Sequence, residues 1–95
     1  MRRYELMLVI RPDVADDKSQ AVIDRTTRQI TATGGQIIKV APWGRRRLAY
    51  EIQKKNEGIY AVVNFTSEPA TAKELDRQLG LNESVMRTKL MRPGA

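Results

Sequence analysis

The order of strand and helix signals along these 95 residues predicts an α+β domain: a four-stranded antiparallel sheet with two helices on one face. Stretches rich in β-branched and large apolar residues are set apart by proline and glycine. Between them lie two stretches with apolar residues at helical spacing. The resulting order is β-α-β-β-α-β.

YELMLVI (4–10) alternates Tyr4, Leu6, Leu8 and Ile10 around Glu5, while Met7 and Val9 make its second face partly apolar, as in a central strand. Arg11, Pro12 and Asp13 end it, because proline lacks the N–H that a ladder needs. Asp13 or Asp16 is the expected N-cap of the first helix, and Asp16 and Asp17 suit its positive N-terminus. Val22, Ile23, Thr26 and Ile30 share one face of that helix, and Gly34-Gly35 stop it. The threonines at 26, 27, 31 and 33 are weak helix formers, so burial must hold this helix more than propensity does.

QIIKVAPWGRRRLAYEI (36–52) is the third element, a long edge strand in which Pro42 and Gly44 predict a bend or bulge. The polar run KKNEG (54–58) is expected to be a hairpin turn. GIYAVVNFT (58–66) carries the strongest strand signal, with Ile59, Ala61, Val63 and Phe65 on one face. Ser67 and Pro69 open a second helix whose buried stripe is Ala72, Leu75 and Leu79 and which Gly80 closes. VMRTKLM (85–91) is the last strand, ended by Pro93-Gly94. No repeat or linker divides the chain, so residues 1–95 read as one domain.

This order is the ferredoxin-like, split βαβ arrangement. Right-handed crossovers then place the first and third strands in the middle of the sheet and both helices on one side. Two helices cover one face of four strands, so the other face is expected to expose Met7, Val9, Tyr60 and Val62, with Arg87 and Lys89 alongside. With the sequence ending at Ala95, no long tail is expected to cover that patch. An apolar patch rimmed by positive charge marks a partner-protein surface.

Seventeen Lys and Arg against eleven Asp and Glu give a net charge of +6 and a pI near 10.1. A field of that sign attracts polyanions, nucleic acid above all. A membrane surface is disfavoured, because the basic residues are spread over several elements instead of lining one amphipathic helix. No apolar run approaches the roughly 18 residues of a membrane span. The opening MRRYELMLVIRPD sets two arginines before an apolar run as a secretory leader does, yet it contains Glu5 and meets Arg11 and Pro12 where small residues belong. The chain has neither cysteine nor histidine, which removes disulfides, thiol nucleophiles, most zinc sites and the usual general base. No phosphate-binding glycine loop, metal-ligand spacing or nucleophile motif occurs, so no enzyme, metal or small-molecule substrate is expected. Glu5, Glu51 and Glu57 lie among arginines and lysines and read as charge partners.

The densest basic stretch is Arg45, Arg46 and Arg47, with Trp43 just before it and Lys39, Lys54 and Lys55 on the same hairpin. Cations beside an aromatic ring contact phosphates while the ring stacks on a base or sugar, so this segment is the first candidate RNA contact. Arg2 and Arg3 form a second basic pair, and Arg87, Lys89 and Arg92 a third. An RNA-recognition-motif type of single-strand binder shares the element order, and Tyr60 falls on one of its stacking positions. Val62 occupies the other, and the basic residue and the glycine before Tyr60 are absent. A stand-alone module of that kind is therefore one alternative reading, and a metabolite-binding or regulatory ferredoxin-like module, which would bind with little salt dependence, is the other.

GRRRLAYEI (44–52) resembles the signature of the bacterial small-subunit ribosomal protein S-six family: glycine, any residue, two basic or polar residues, Leu, Ala or Ser, Tyr, any residue, Ile. Gly44, Arg46, Arg47, Leu48, Ala49, Tyr50 and Ile52 all fit. The opening MRRYELMLVIRPD, the glycine after the first helix, the length and the element order resemble that family too. The resemblance implies a structural, non-catalytic protein without cofactor, at work on the ribosome in the cytoplasm. It implies binding to the central domain of the small-subunit ribosomal RNA, as a pair with the S-eighteen protein. On that picture Arg45, Arg46 and Arg47 face RNA or partner, while Leu48, Tyr50 and Ile52 anchor the same strand to the sheet.

Overall fold

The computed structural model describes residues 1–52 and 55–92. It runs β1 (Arg2–Ile10), α1 (Asp16–Ala32), β2 (Gln36–Ile52), β3 (Lys55–Ser67), α2 (Pro69–Gly80) and β4 (Val85–Met91). The strands form one antiparallel sheet in the order β2-β3-β1-β4, which is the ferredoxin-like topology with β3 and β1 in the middle. Among the described residues, no helix is long and apolar enough to cross a membrane.

The alternation in β1 and β3 decides where the core lies. Tyr4, Leu6, Leu8 and Ile10 stand in register with Phe65, Val63, Ala61 and Ile59. Their side chains meet Val22, Ile23 and Ile30 of α1 and Ala72, Leu75 and Leu79 of α2 in a single cluster. The Tyr4 and Phe65 rings stack 5.7 Å apart within it. Both helices therefore cover one face, as the two apolar stripes require.

The helix ends depart from expectation in instructive ways. Neither Asp13 nor Asp16 caps α1: the N-cap is Ala15, with Asp16 and Asp17 in the first turn. Asp13 is already engaged, accepting hydrogen bonds from Arg11 Nε and Nη2 at 3.2 Å each. The threonines of α1 turn their hydroxyls back on the helix. Thr26 donates to the Val22 carbonyl, Thr27 to Asp24, Thr31 to Arg28 and Thr33 to Gln29. This satisfies the fully buried Thr26 and reconciles four weak helix formers with a regular helix. Gly34, at φ 90°, then takes the left-handed conformation that ends α1. At α2 the cap is Glu68, with Pro69 opening the first turn.

Lys55, Asn56, Glu57 and Gly58 belong to β3 and are not turn residues, a correction to the expected hairpin. Gly58 is paired with Arg46 and Glu57 with Arg47, so the ladder runs further out than the polar composition suggested. Lys54 and the Pro93-Gly94 ending lie outside the described residues.

Candidate nucleic-acid interface

β2 determines the shape of the interface. Its register against β3 slips between Ile37 and Lys39 and between Pro42 and Gly44, which leaves Ile38 and Trp43 as extra, bulged residues. Gly44 has φ 80°, a conformation that any side chain would strain. Bulges bend and twist the strand that carries them. From Gly44 outward the β2–β3 hairpin accordingly leaves the sheet plane and folds as an arm over the sheet's open face. Two contacts record the result: Leu48 packs with Val9 of β1 and Met86 of β4, and Tyr50 receives a hydrogen bond from Arg87 of β4, at the opposite edge of the sheet. Met86 reaches this cluster because it is itself an extra residue, sitting where β1–β4 pairing skips between Val9 and Ile10.

Beneath the arm lies a groove of about 420 Å³. Met7, Val9 and Met91 form its apolar floor, Leu48, Tyr50 and Tyr60 its walls, and Arg87 and Lys89 its cationic rim. The open face is thus partly roofed by the protein's own hairpin. Val9 and Val62 are only 4% and 3% exposed, so the expectation of four exposed apolar residues on this face is corrected. Met7 and Tyr60 remain partly accessible. Tyr50 reverses in the other direction. Instead of anchoring the strand in the core it is 59% exposed, with the Arg87 guanidinium 5.8 Å from its ring centre. Leu48 is the buried anchor, as expected; the side chain of Ile52 lies outside the described residues.

The aromatic residues at the root of the arm stack on each other, although Trp43 stays 46% exposed. Trp43 and Tyr60 stack with centroids 6.3 Å apart and planes only 7° from parallel. The Arg46 guanidinium lies over the indole, 5.4 Å from its centre. An array of arginine on tryptophan on tyrosine orients Arg46 while leaving its charge without a carboxylate partner among the described residues. Arg47, opposite Glu57 in the ladder, is exposed and also has no carboxylate within ion-pair distance among the described residues.

Arg45 and Lys55 differ. Arg45 Nη1 donates to Glu57 Oε2 at 3.4 Å and its Nη2 to the Pro12 carbonyl at 3.1 Å. Lys55 Nζ lies 3.7 Å from Asp13 Oδ2. The Asp13 carboxyl is held below the usual range, first by the Arg11 hydrogen bond and less by the positive charges of Arg11 and Lys55.

The remaining basic residues do not join this group. Arg3 stands opposite Thr66 and Lys39 opposite Asn64, near the end of the sheet away from the arm. Arg2 and Arg3 alternate across the strand and face opposite sides, so the sequence pair is not a single patch. Arg92 follows β4 at that same far end and is exposed. Arg87 and Lys89, paired with Val9 and Met7, lie between the two groups. What sequence reasoning missed was Tyr50 and Met91 as groove residues and Asp13 as a partner of the arm. No local signal marks them, because Tyr50 meets Arg87 across 37 positions.

Fold and face together define a ferredoxin-like domain with a basic, aromatic interaction surface and a groove beneath it. The family model described as "Ribosomal protein S6" matches residues 3–92. The "Small ribosomal subunit protein bS6" of Paenarthrobacter aurescens is 61% identical over 93 residues, covering 98% of this chain and 92% of the relative. Its counterpart in Acidothermus cellulolyticus is 54% identical over 95 residues, covering 100% and 99%. The crystal structure of 30S ribosomal protein S6 from Thermotoga maritima superposes with a TM-score of 0.90 at 33% identity, over 96% of this chain and 86% of that one. The chain belongs to the ribosomal protein S6 family. As such it is a structural ribosomal protein and not an enzyme.

Proposed function

We propose that this protein is a component of the small ribosomal subunit that binds the central domain of its ribosomal RNA together with the S-eighteen protein. It would do so in the cytoplasm, without cofactor, metal or small-molecule substrate. The observation that carries the reading is the arm: Arg46 and Arg47 project from a braced hairpin without carboxylate partners among the described residues. Fixed cations of this kind neutralise phosphates and release counterions, which drives binding and makes it salt-dependent. Bound RNA then shifts toward the geometry that the cations fit. Arg87 and Lys89 extend the positive surface along β4, and the groove beside them offers the partner protein an apolar seat framed by Met7, Tyr60 and Met91.

The single-strand stacking alternative loses ground on the same face. Tyr60 stacks on Trp43 instead of presenting a free ring, and Val62 is buried. The deciding experiment titrates the pure protein against a labelled central-domain RNA fragment, with and without the S-eighteen protein, over a salt series. Weak binding that becomes tight and specific with the partner is expected. Tight, partner-indifferent binding to any single-stranded RNA would overturn the reading.

A further inference from the structure

Asp13 and Glu57 are carboxylates placed beside the most basic segment of a protein with net charge +6. Coulombic reasoning makes them a handicap for holding a polyanion. Their contacts suggest why they are there. The Arg11–Pro12–Asp13 turn touches both strands of the arm, β2 near its root and β3 at its outer end, where Lys55 pairs with Ile52. It meets β2 through Arg45, whose Nη2 donates to the Pro12 carbonyl at 3.1 Å, and β3 through Lys55, 3.7 Å from Asp13. Glu57 closes the bracket by accepting from Arg45 Nη1 across the hairpin at 3.4 Å. The turn is itself anchored, since the Arg11 N–H donates to the Ser84 carbonyl at 2.8 Å and Arg11 grips the Asp13 carboxylate with two hydrogen bonds.

All these pairs are well exposed, and exposed pairs add little to overall stability. What they do restrict is the angle at which the arm leaves the sheet. Leu48 and the Tyr50–Arg87 contact seat the arm on the open face, and no other ion pair among the described residues ties the hairpin to the β1–α1 turn. We propose that Asp13 and Glu57 are positioning residues for the RNA contact: with Arg45 and Lys55 they form a bracket that holds the arm, so that Arg46 and Arg47 meet the phosphates already in place. Arg45 is then a brace, and the three consecutive arginines divide into one structural and two binding cations. Preorganisation of this kind raises affinity by removing the ordering cost at the moment of binding.

The inference rests on the RNA-binding reading above, and one experiment separates their failures. RNA affinity is measured over a salt series, in the presence of the S-eighteen protein, for the intact chain and for Asp13→Asn, Glu57→Gln, Arg45→Gln and Arg47→Gln. Charge alone predicts that removing either carboxylate tightens binding. The bracket predicts the opposite sign: Asp13→Asn and Glu57→Gln each weaken binding about three- to tenfold, with the salt slope unchanged. Arg45→Gln behaves like them, whereas Arg47→Gln weakens binding and also lowers the slope by about 0.9. Equal or tighter binding by both carboxylate variants overturns the proposal. If the intact chain fails to bind the RNA at all, the RNA-binding reading fails first.

Discussion

At the scale of single residues, the roles of Leu48 and Tyr50 are decided by which side of the arm faces the sheet. They lie two positions apart on one strand, and alternation alone gives them equal standing. Leu48 is pinned between Val9 and Met86, while Tyr50 reaches past the sheet to Arg87 and stays mostly in water. Tyr50→Ala is therefore expected to lower stability by only about 1 kcal/mol, the value of an exposed cation–π contact. A melting experiment showing about 3–5 kcal/mol, as for a core aromatic, would place Tyr50 inside. Gly58 shows the reverse. A Cβ there would stand 2.5 Å from Val9 Cγ1 and 3.7 Å from Leu48 Cδ2. Gly58→Ala should cost about 1–3 kcal/mol by pushing the stiff Val9 side chain out of place. Chemical denaturation would expose the error if the variant matched the parent.

At the scale of elements, α2 carries the clearest titration. Hydrogen bonds from Arg77 and then Gln78 draw the Glu74 carboxyl down to about 2 from an ordinary 4.5. A value depressed on folding means that the pair's contribution is present above about pH 4.5 and disappears as the pH falls toward 2. A carboxyl titration followed by NMR should find Glu74 near 2 and, in Arg77→Gln, back toward 4.5. The stability gap between parent and variant should close over that same window. Because Arg77 and Glu74 are exposed, the gap is small even at neutral pH. A Glu74 midpoint unmoved by the substitution would mean that Arg77 is not its partner. β2 is the element of greater consequence. Pro42 and Gly44 announced its bend, yet where the bent half would land depends on three register shifts against β3, the last between Arg47 and Ile52, and on the twist of the strands beneath it.

At the scale of the whole molecule, the basic residues form separate groups on one sheet: the arm, the face of β4, and the end carrying Arg3, Lys39 and Arg92. Substituting Arg46 and Arg47 together by glutamine should weaken RNA binding and reduce its salt slope by about 0.9 for each phosphate no longer neutralised. The melting temperature should fall by only a few degrees, the share of the exposed Arg46–Trp43 contact. An unchanged slope would move the RNA-binding role to the other basic groups.

Element order, the core faces of β1, β3 and the two helices, the strain point at Gly44 and the sign of the surface charge were all legible in the sequence. These are local properties, written in periods of two and 3.6 residues and in the backbone limits of proline and glycine. The family resemblance was legible too, because the motif at 44–52 is contiguous. Tertiary structure alone established that the open face is half roofed, that Val9 and Val62 are buried while Tyr50 is not, and that Arg45 is held by Glu57 and Pro12. Distance along the chain is the cause. Tyr50 meets Arg87 only after accumulated bends carry one edge of the sheet across to the other, and Arg45 meets Pro12 only once β3 has paired between them. No periodicity within a segment encodes that sum.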